Sequence, residues 1–153
     1  MRKDYKQYNS LLSLLLIIFV VAVIFNYVWE MAQSIFYVGM KSFNALWHCF
    51  IASLGDGLLV LLIFATGWVV LRRRAWFMQP GTSGYILMLI TGLVIGISIE
   101  WLAVHVIMLW KYTAQMPLVP GLNIGVLPVA QMLMLPPLIF GAVSKRQSRA
   151  KRQ

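Results

Sequence analysis

Residues 85–110 read YILMLITGLVIGISIEWLAVHVIMLW, an apolar run interrupted only by Thr91, Ser98, Glu100 and His105. At 1.5 Å of rise per residue, about 20 helical residues cross a hydrocarbon core of about 30 Å, so a run of this length reads as a membrane-spanning helix. Three further runs of spanning length lie at 10–30, 46–71 and 122–143. In a chain of 153 residues that is 61% hydrophobic and 11% charged, a water-soluble domain could not hide so much apolar surface. The expected fold is therefore all-α, with the whole chain, 1–153, forming one four-helix transmembrane bundle.

Arg2, Lys3 and Lys6 before an apolar run have the outline of a secretory signal. No small-residue cleavage site follows, and the run continues into Tyr27-Val28-Trp29-Glu30, so the segment reads as an uncleaved first helix. In a four-span topology Arg2, Lys3, Lys6, Arg72, Arg73, Arg74, Lys145, Arg146, Arg149, Lys151 and Arg152 fall on one side, and Lys41 and Lys111 on the other. The positive-inside rule then expects both termini and the middle loop in the cytoplasm, with the turns around 34–45 and 111–121 outside. Most of the net charge of +9 is this bias. The basic cluster at 145–153 sits at a helix end without a groove-reading module, which points to anionic membrane lipids as its partners and away from nucleic acid. Cys49 is the single cysteine, so an intrachain disulfide is excluded. The stretch Gln79-Pro80-Gly81-Thr82-Ser83-Gly84 is expected to be the turn between the second and third helices.

Three carboxylates, Glu30, Asp56 and Glu100, lie within or at the edges of these runs. A charged group at the bilayer centre costs about 2.5–3.5 kcal/mol on insertion scales, so such residues face protein or water and often mark function. Counted along the helices, Glu30 lies about 28 Å from Leu11, Asp56 about 15 Å below the outer end of its helix, and Glu100 about 22 Å up from Tyr85. His48 and His105 stand near the outer ends. Ionisable groups from three helices thus converge on the outer half of the bundle, which implies an outward-opening polar pocket.

Helical phase refines the set. Asn26, Glu30, Gln33 and Tyr37 are spaced by four, three and four and share a face, as do His48, Ala52 and Asp56. Trp101, His105 and Tyr112 form a stripe on the third helix, with Glu100 and His105 pointing about 140° apart. On the fourth helix Asn123 and Gln131 share a side and could wall the pocket with amides. Pro128, Pro136 and Pro137 are expected to kink that helix, with Gln131 a partner for the freed carbonyls. The prolines of Met116-Pro117-Leu118-Val119-Pro120-Gly121 stiffen an outer loop that either lids the pocket or simply joins two helices. Gly92 and Gly96 form a small-residue packing pair.

The candidate catalytic residues are accordingly Asp56, Glu100, Glu30 and His48; the candidate substrate-binding residues are Asn26, Gln33, Trp101, His105, Tyr112 and Gln131. Placement beside Trp47 and before Trp110 also suits either histidine to a headgroup-level aromatic belt. A metal ion held by His48, Asp56, Glu100 and His105 is conceivable from ligand type. The pairs lack the Glu-x-x-His and His-Glu-x-x-His spacings of recognised metal sites. Acid and base catalysis on a lipid or isoprenoid-like molecule suits the set better, because it needs carboxyl groups that exchange a proton near neutrality. A proton-coupled carrier of a small molecule or ion needs the same groups. Small four-helix drug exporters place their acid mid-way along the first helix, however, whereas Glu30 stands near the end of its span. A third alternative is an accessory subunit of a larger membrane complex or a homo-oligomer, in which no single polar residue is essential.

The runs Trp29-Glu30-Met31-Ala32-Gln33 and Cys49 to Asp56, with Ser53-Leu54-Gly55-Asp56, and Glu100-Trp101 followed by Trp110-Lys111-Tyr112 and Met116-Pro117, resemble an uncharacterised group of small bacterial membrane proteins. That resemblance implies a four-helix protein of the bacterial inner membrane and brings no activity with it.

Overall fold

Leu12, Leu16, Val20, Ile24 and Val28 recur at every fourth position of the first helix and are all exposed, while Ile18, Ala22 and Asn26 on its opposite face are fully buried. A helix that turns aliphatic side chains outward and an amide inward is dressed for lipid, since in water the polar face would be the exposed one. The computed structural model describes residues 2–39 and 43–150, with the side chains of residues 2–10, 43–44 and 147–150 left aside. Lys41, Lys151 and Arg152, counted above for orientation, lie outside the described residues, as do the side chains of Arg2, Lys3, Lys6 and Arg149.

Four long helices make the fold: α1 Arg2–Gln33, α2 Phe43–Leu71, α3 Gly81–Trp101 and α4 Val126–Ala150. Each contains a stretch long and apolar enough to cross a membrane, and the described chain is a multi-pass membrane protein. α1 packs along α2 and α4, and α4 along α3, whereas α2 and α3 meet along a much thinner seam. The ring of helices is thus closed on three sides and loosely joined on the fourth.

The end that carries both termini is closed by packed aromatic rings. Trp76 and Phe77, from a 3₁₀ turn between α2 and α3, tuck under the bundle against Phe64 and Phe140, with ring centroids 5.5–6.5 Å apart. Such aromatic pairs contribute about 0.5–1.5 kcal/mol each beyond the area they bury. The Trp76 indole N–H reaches the Phe64 carbonyl at 3.1 Å, so the plug leaves no donor unpaired. Gly67 makes room for it: a Cβ there would stand 2.2 Å from the indole ring. Arg74 lies 4.7 Å over the Trp68 ring at the same end.

Proline and glycine together join α3 to α4. Pro136 has no N–H for the carbonyl of Met132 four residues before it. That oxygen lies against Gly92 of α3, where a Cβ would come within 2.2 Å of it, and Gly96 lies against the Met132 side chain. The Gly92–Gly96 pair therefore serves close packing, as the spacing suggests. Gln131, by contrast, takes no part in satisfying the carbonyls freed by the prolines. Pro128 sits in the first turn of α4, where an amide N–H has no helical partner anyway.

Two of the departures from the expected span limits bear on the site. The third span was expected to run to 110, but after Trp101 the helix widens into a π-helical turn, Leu102–Val106. The chain then reverses at Met108, whose φ is 52°, with the Leu109 amide bonded to the Ala103 carbonyl at 2.8 Å. The helix is sacrificed because Trp110 and Tyr112 find partners by folding back, as described below. The fourth begins at Val126 instead of 122, so Asn123 lies outside it, exposed and with φ 52°. The turn expected at 79–84 lies earlier, since α3 already starts at Gly81.

Candidate functional site

A cavity of about 650 Å³ opens at the end of the bundle opposite the termini. Glu30, Asp56, Glu100, Gln131 and His48 line it, each carried by a helix. Helical side chains lean toward the N-terminus of their own helix. In this up-and-down bundle Glu30 and Glu100 therefore lean inward from the ends of α1 and α3, and Asp56 leans up toward Glu30 from the middle of α2.

Gln131 holds the centre. Its amide nitrogen donates to Asn26 Oδ1 at 2.8 Å and to Asp56 Oδ2 at 2.7 Å, while its oxygen accepts from Gln33 Nε2 at 3.1 Å. Gln33 Nε2 also donates to Glu30 Oε1 at 2.7 Å, and Gln33 Oε1 accepts from Trp29 Nε1 at 3.2 Å. Asn26 passes its own donor to the Ala22 carbonyl at 2.8 Å. Both hydrogens of each glutamine amide are thereby used, which fixes the amides and, through them, the two acids. Glu30 and Asp56 are tied to each other through the two amides, Glu30 to Gln33, Gln33 to Gln131 and Gln131 to Asp56.

Glu100, 3% exposed, is held from the loop side. Tyr112 donates its hydroxyl hydrogen to Glu100 Oε1, and Trp110 Nε1 approaches the same oxygen at 3.3 Å. The Tyr112 oxygen in turn accepts the Gly125 amide at 2.8 Å. Backbone bonds secure this flap: Val38 donates to the Lys111 carbonyl at 2.9 Å and Thr113 to that of Phe36 at 2.8 Å. Tyr37 packs against both flap rings, 6.0 Å from Trp110 and 5.7 Å from Tyr112. Burial, followed by the contact with Glu100, raises the Tyr112 phenol above its ordinary range, and burial does the same for Tyr37, so both remain protonated donors at neutral pH.

Of the residues singled out in the sequence, Asp56, Glu100, Glu30, His48 and Gln131 meet at the cavity. Asn26 and Gln33 are buried behind it as supports. Tyr112 reaches the site through Glu100, from a flap and not from a helical stripe, because the helix carrying Trp101 and His105 ends before it. Trp101 and His105 are not brought to the cavity: both are exposed, with rings 5.7 Å apart, and His105 Nε2 pairs with the Leu122 carbonyl at 3.0 Å. The four residues considered for a metal are accordingly not gathered. Among the described residues no three His, Cys, Asp or Glu side chains are grouped to hold one.

Tyr37, Trp47 and Trp110 also line the cavity; spacing put Tyr37 on the polar face of the first helix, but none of the three stood among the candidate site residues. The signals were present for two of them. Tyr37 follows Gln33 by four, and Trp110 belongs to an aromatic pair around Lys111 at a span end. Of the outer loop, only the part around Leu109 and Trp110 covers the pocket. The proline segment forms a separate turn, closed by Val119 donating to the Ile124 carbonyl at 2.8 Å and Val126 to that of Pro117 at 2.8 Å.

Fold and site together define a multi-pass four-helix membrane protein with an acid-lined pocket confined to one end. The chain matches no protein family, no curated protein and no solved structure, so no activity is transferred to it by likeness.

Proposed function

We propose that this is a protein of a bacterial cytoplasmic membrane in which Glu30, Asp56 and Glu100 perform acid and base chemistry on a lipid or isoprenoid-like molecule. The observation that carries the proposal is the cavity, in which carboxyl groups from three helices meet apolar walls at membrane depth. Convergent ionisable groups in a mostly apolar concavity are the usual outline of a small-molecule site. Orientation follows from charge: Arg72, Arg73, Arg74, Lys145 and Arg146 stand at the termini end, which the positive-inside rule assigns to the cytoplasm. The pocket then opens on the outer side.

Within it, one carboxyl group of the pair Glu30 and Asp56, which Gln33 and Gln131 bridge, acts in its protonated form as the acid. Glu100, which receives two hydrogen bonds on one oxygen, is the base. One proton passes to the substrate from the pair and one returns from the substrate to Glu100, so the protein's charge is unchanged over the step. Gln131 and Gln33 hold the pair in place, and His48 lines the same cavity. The packed end, where Trp76, Phe77, Phe64 and Phe140 close the bundle, suits a site reached from one side only.

Lipid extracts of cells producing the wild type, Asp56→Asn and Glu100→Gln, compared by untargeted mass spectrometry, test the proposal. A lipid species that changes with wild-type protein and not with either variant is expected. Identical profiles from wild type and both variants, all present in the membrane at equal amounts, would refute it.

A further inference from the structure

Among the described residues lining the cavity there is no lysine and no arginine, and three carboxyl groups face the single imidazole of His48. A phosphate or carboxylate brought there would meet like charge in a poorly screened interior, whereas a cation or a hydrogen-bond donor would meet acceptors. Three aromatic rings, Tyr37, Trp47 and Trp110, border the same space, and ring faces attract positive charge.

Size and openings narrow the occupant further. At about 30 Å³ per non-hydrogen atom, the share of a water molecule in the liquid, the cavity holds roughly 20 such atoms, room for a small head group and the first part of one chain, the rest having to leave through an opening. Its wall continues along α2 through Ile51, Gly55 and Leu59 and along α3 through Gly96 and Ile99. Ile51 and Ile99, one on each of these helices, are 50% and 43% exposed, and α2 and α3 are the least tightly packed neighbours of the bundle, which gives a chain a sideways exit between them.

We infer that the pocket takes a single-chain lipid with a non-anionic, hydrogen-bond-donating head, the head seated among Glu30, Asp56 and Glu100 and the tail leaving between α2 and α3. The inference rests on the pocket reading above and adds the chemical class of its occupant.

The test titrates the full chain, in a neutral detergent, with dodecylamine, dodecanol and dodecyl phosphate, read by tryptophan fluorescence and by thermal shift. The amine and the alcohol are expected to bind at least tenfold more tightly than the phosphate. Asp56→Asn should weaken the amine at least tenfold. Gly55→Leu, which projects a side chain into open space at the seam, should block all three while gel filtration shows a folded protein. Phosphate binding as tight as the amine, blocked by Gly55→Leu, would overturn the head-group assignment and leave the pocket reading standing. Amine binding unchanged by Asp56→Asn would do the same. Equal binding of all three chains by wild type and Gly55→Leu would overturn both.

Discussion

Gln131 Nε2 stands 2.7 Å from Asp56 Oδ2, and through this one contact α4 positions the acid of α2. The same amide reaches Asn26 and Gln33 on α1, so three helices are registered by a single side chain. Interhelical hydrogen bonds in membranes average about 0.6 kcal/mol each, so Gln131→Leu is expected to lose about 2 kcal/mol. Reversible unfolding in mixed micelles measures it. The variant should also lose activity beyond what its residual folded fraction explains, since Asp56 and Glu30 would no longer be held.

Removing the flap's anchor separates positioning from folding. Tyr112→Phe deletes the donor to Glu100 and the acceptor for the Gly125 amide but leaves the ring against Tyr37. Stability should fall by about 1–2 kcal/mol, the scale of one or two such bonds. Hydrogen exchange should rise at Lys111 to Thr113 and not along α1 or α4.

Close packing predicts a contrast among glycines. Gly92→Ala forces a methyl group against the backbone oxygen of Met132, which has no rotamer to yield, and Gly67→Ala forces one into the Trp76 ring. Overpacking of this kind costs about 1–3 kcal/mol. Gly141→Ala meets nothing within 4 Å and should be neutral or slightly stabilising. Thermal denaturation of the three variants distinguishes them.

Alkaline pH reports on the flap. The Tyr112 phenol is raised in the folded protein, first by burial and then by its bond to Glu100, so the fold favours its protonated form. That contribution is fully present below the ordinary tyrosine value of about 10 and is lost as the pH climbs beyond it. The melting temperature of the wild type should therefore drop more steeply above that pH than that of Tyr112→Phe. Parallel curves would contradict the assignment.

How far the site could be read in advance depended on whether helical geometry continued. Asn26, Glu30, Gln33 and Tyr37 do share a face because α1 and its 3₁₀ extension keep their turn to Phe36. Gln131 stood out as an amide among apolar neighbours, a residue that must find a partner inside the bundle. The same reasoning failed past Trp101, where hydropathy stays high through Trp110 but a π-helical turn and a reversal at Met108 carry the chain back over Glu100. Nothing in the periodicity distinguishes an apolar residue that continues a helix from one that covers a pocket. The plug formed by Trp76 and the thin seam between α2 and α3 were equally hidden, because both depend on which helices become neighbours.

The central claim, an acid-lined pocket that takes a lipid from the membrane, is tested most directly by native mass spectrometry of the detergent-purified wild type beside Gly55→Leu. The account predicts a mass adduct of one single-chain, non-anionic lipid on the wild type, absent from the variant. An unadducted wild type, or the same adduct on both proteins, would contradict it.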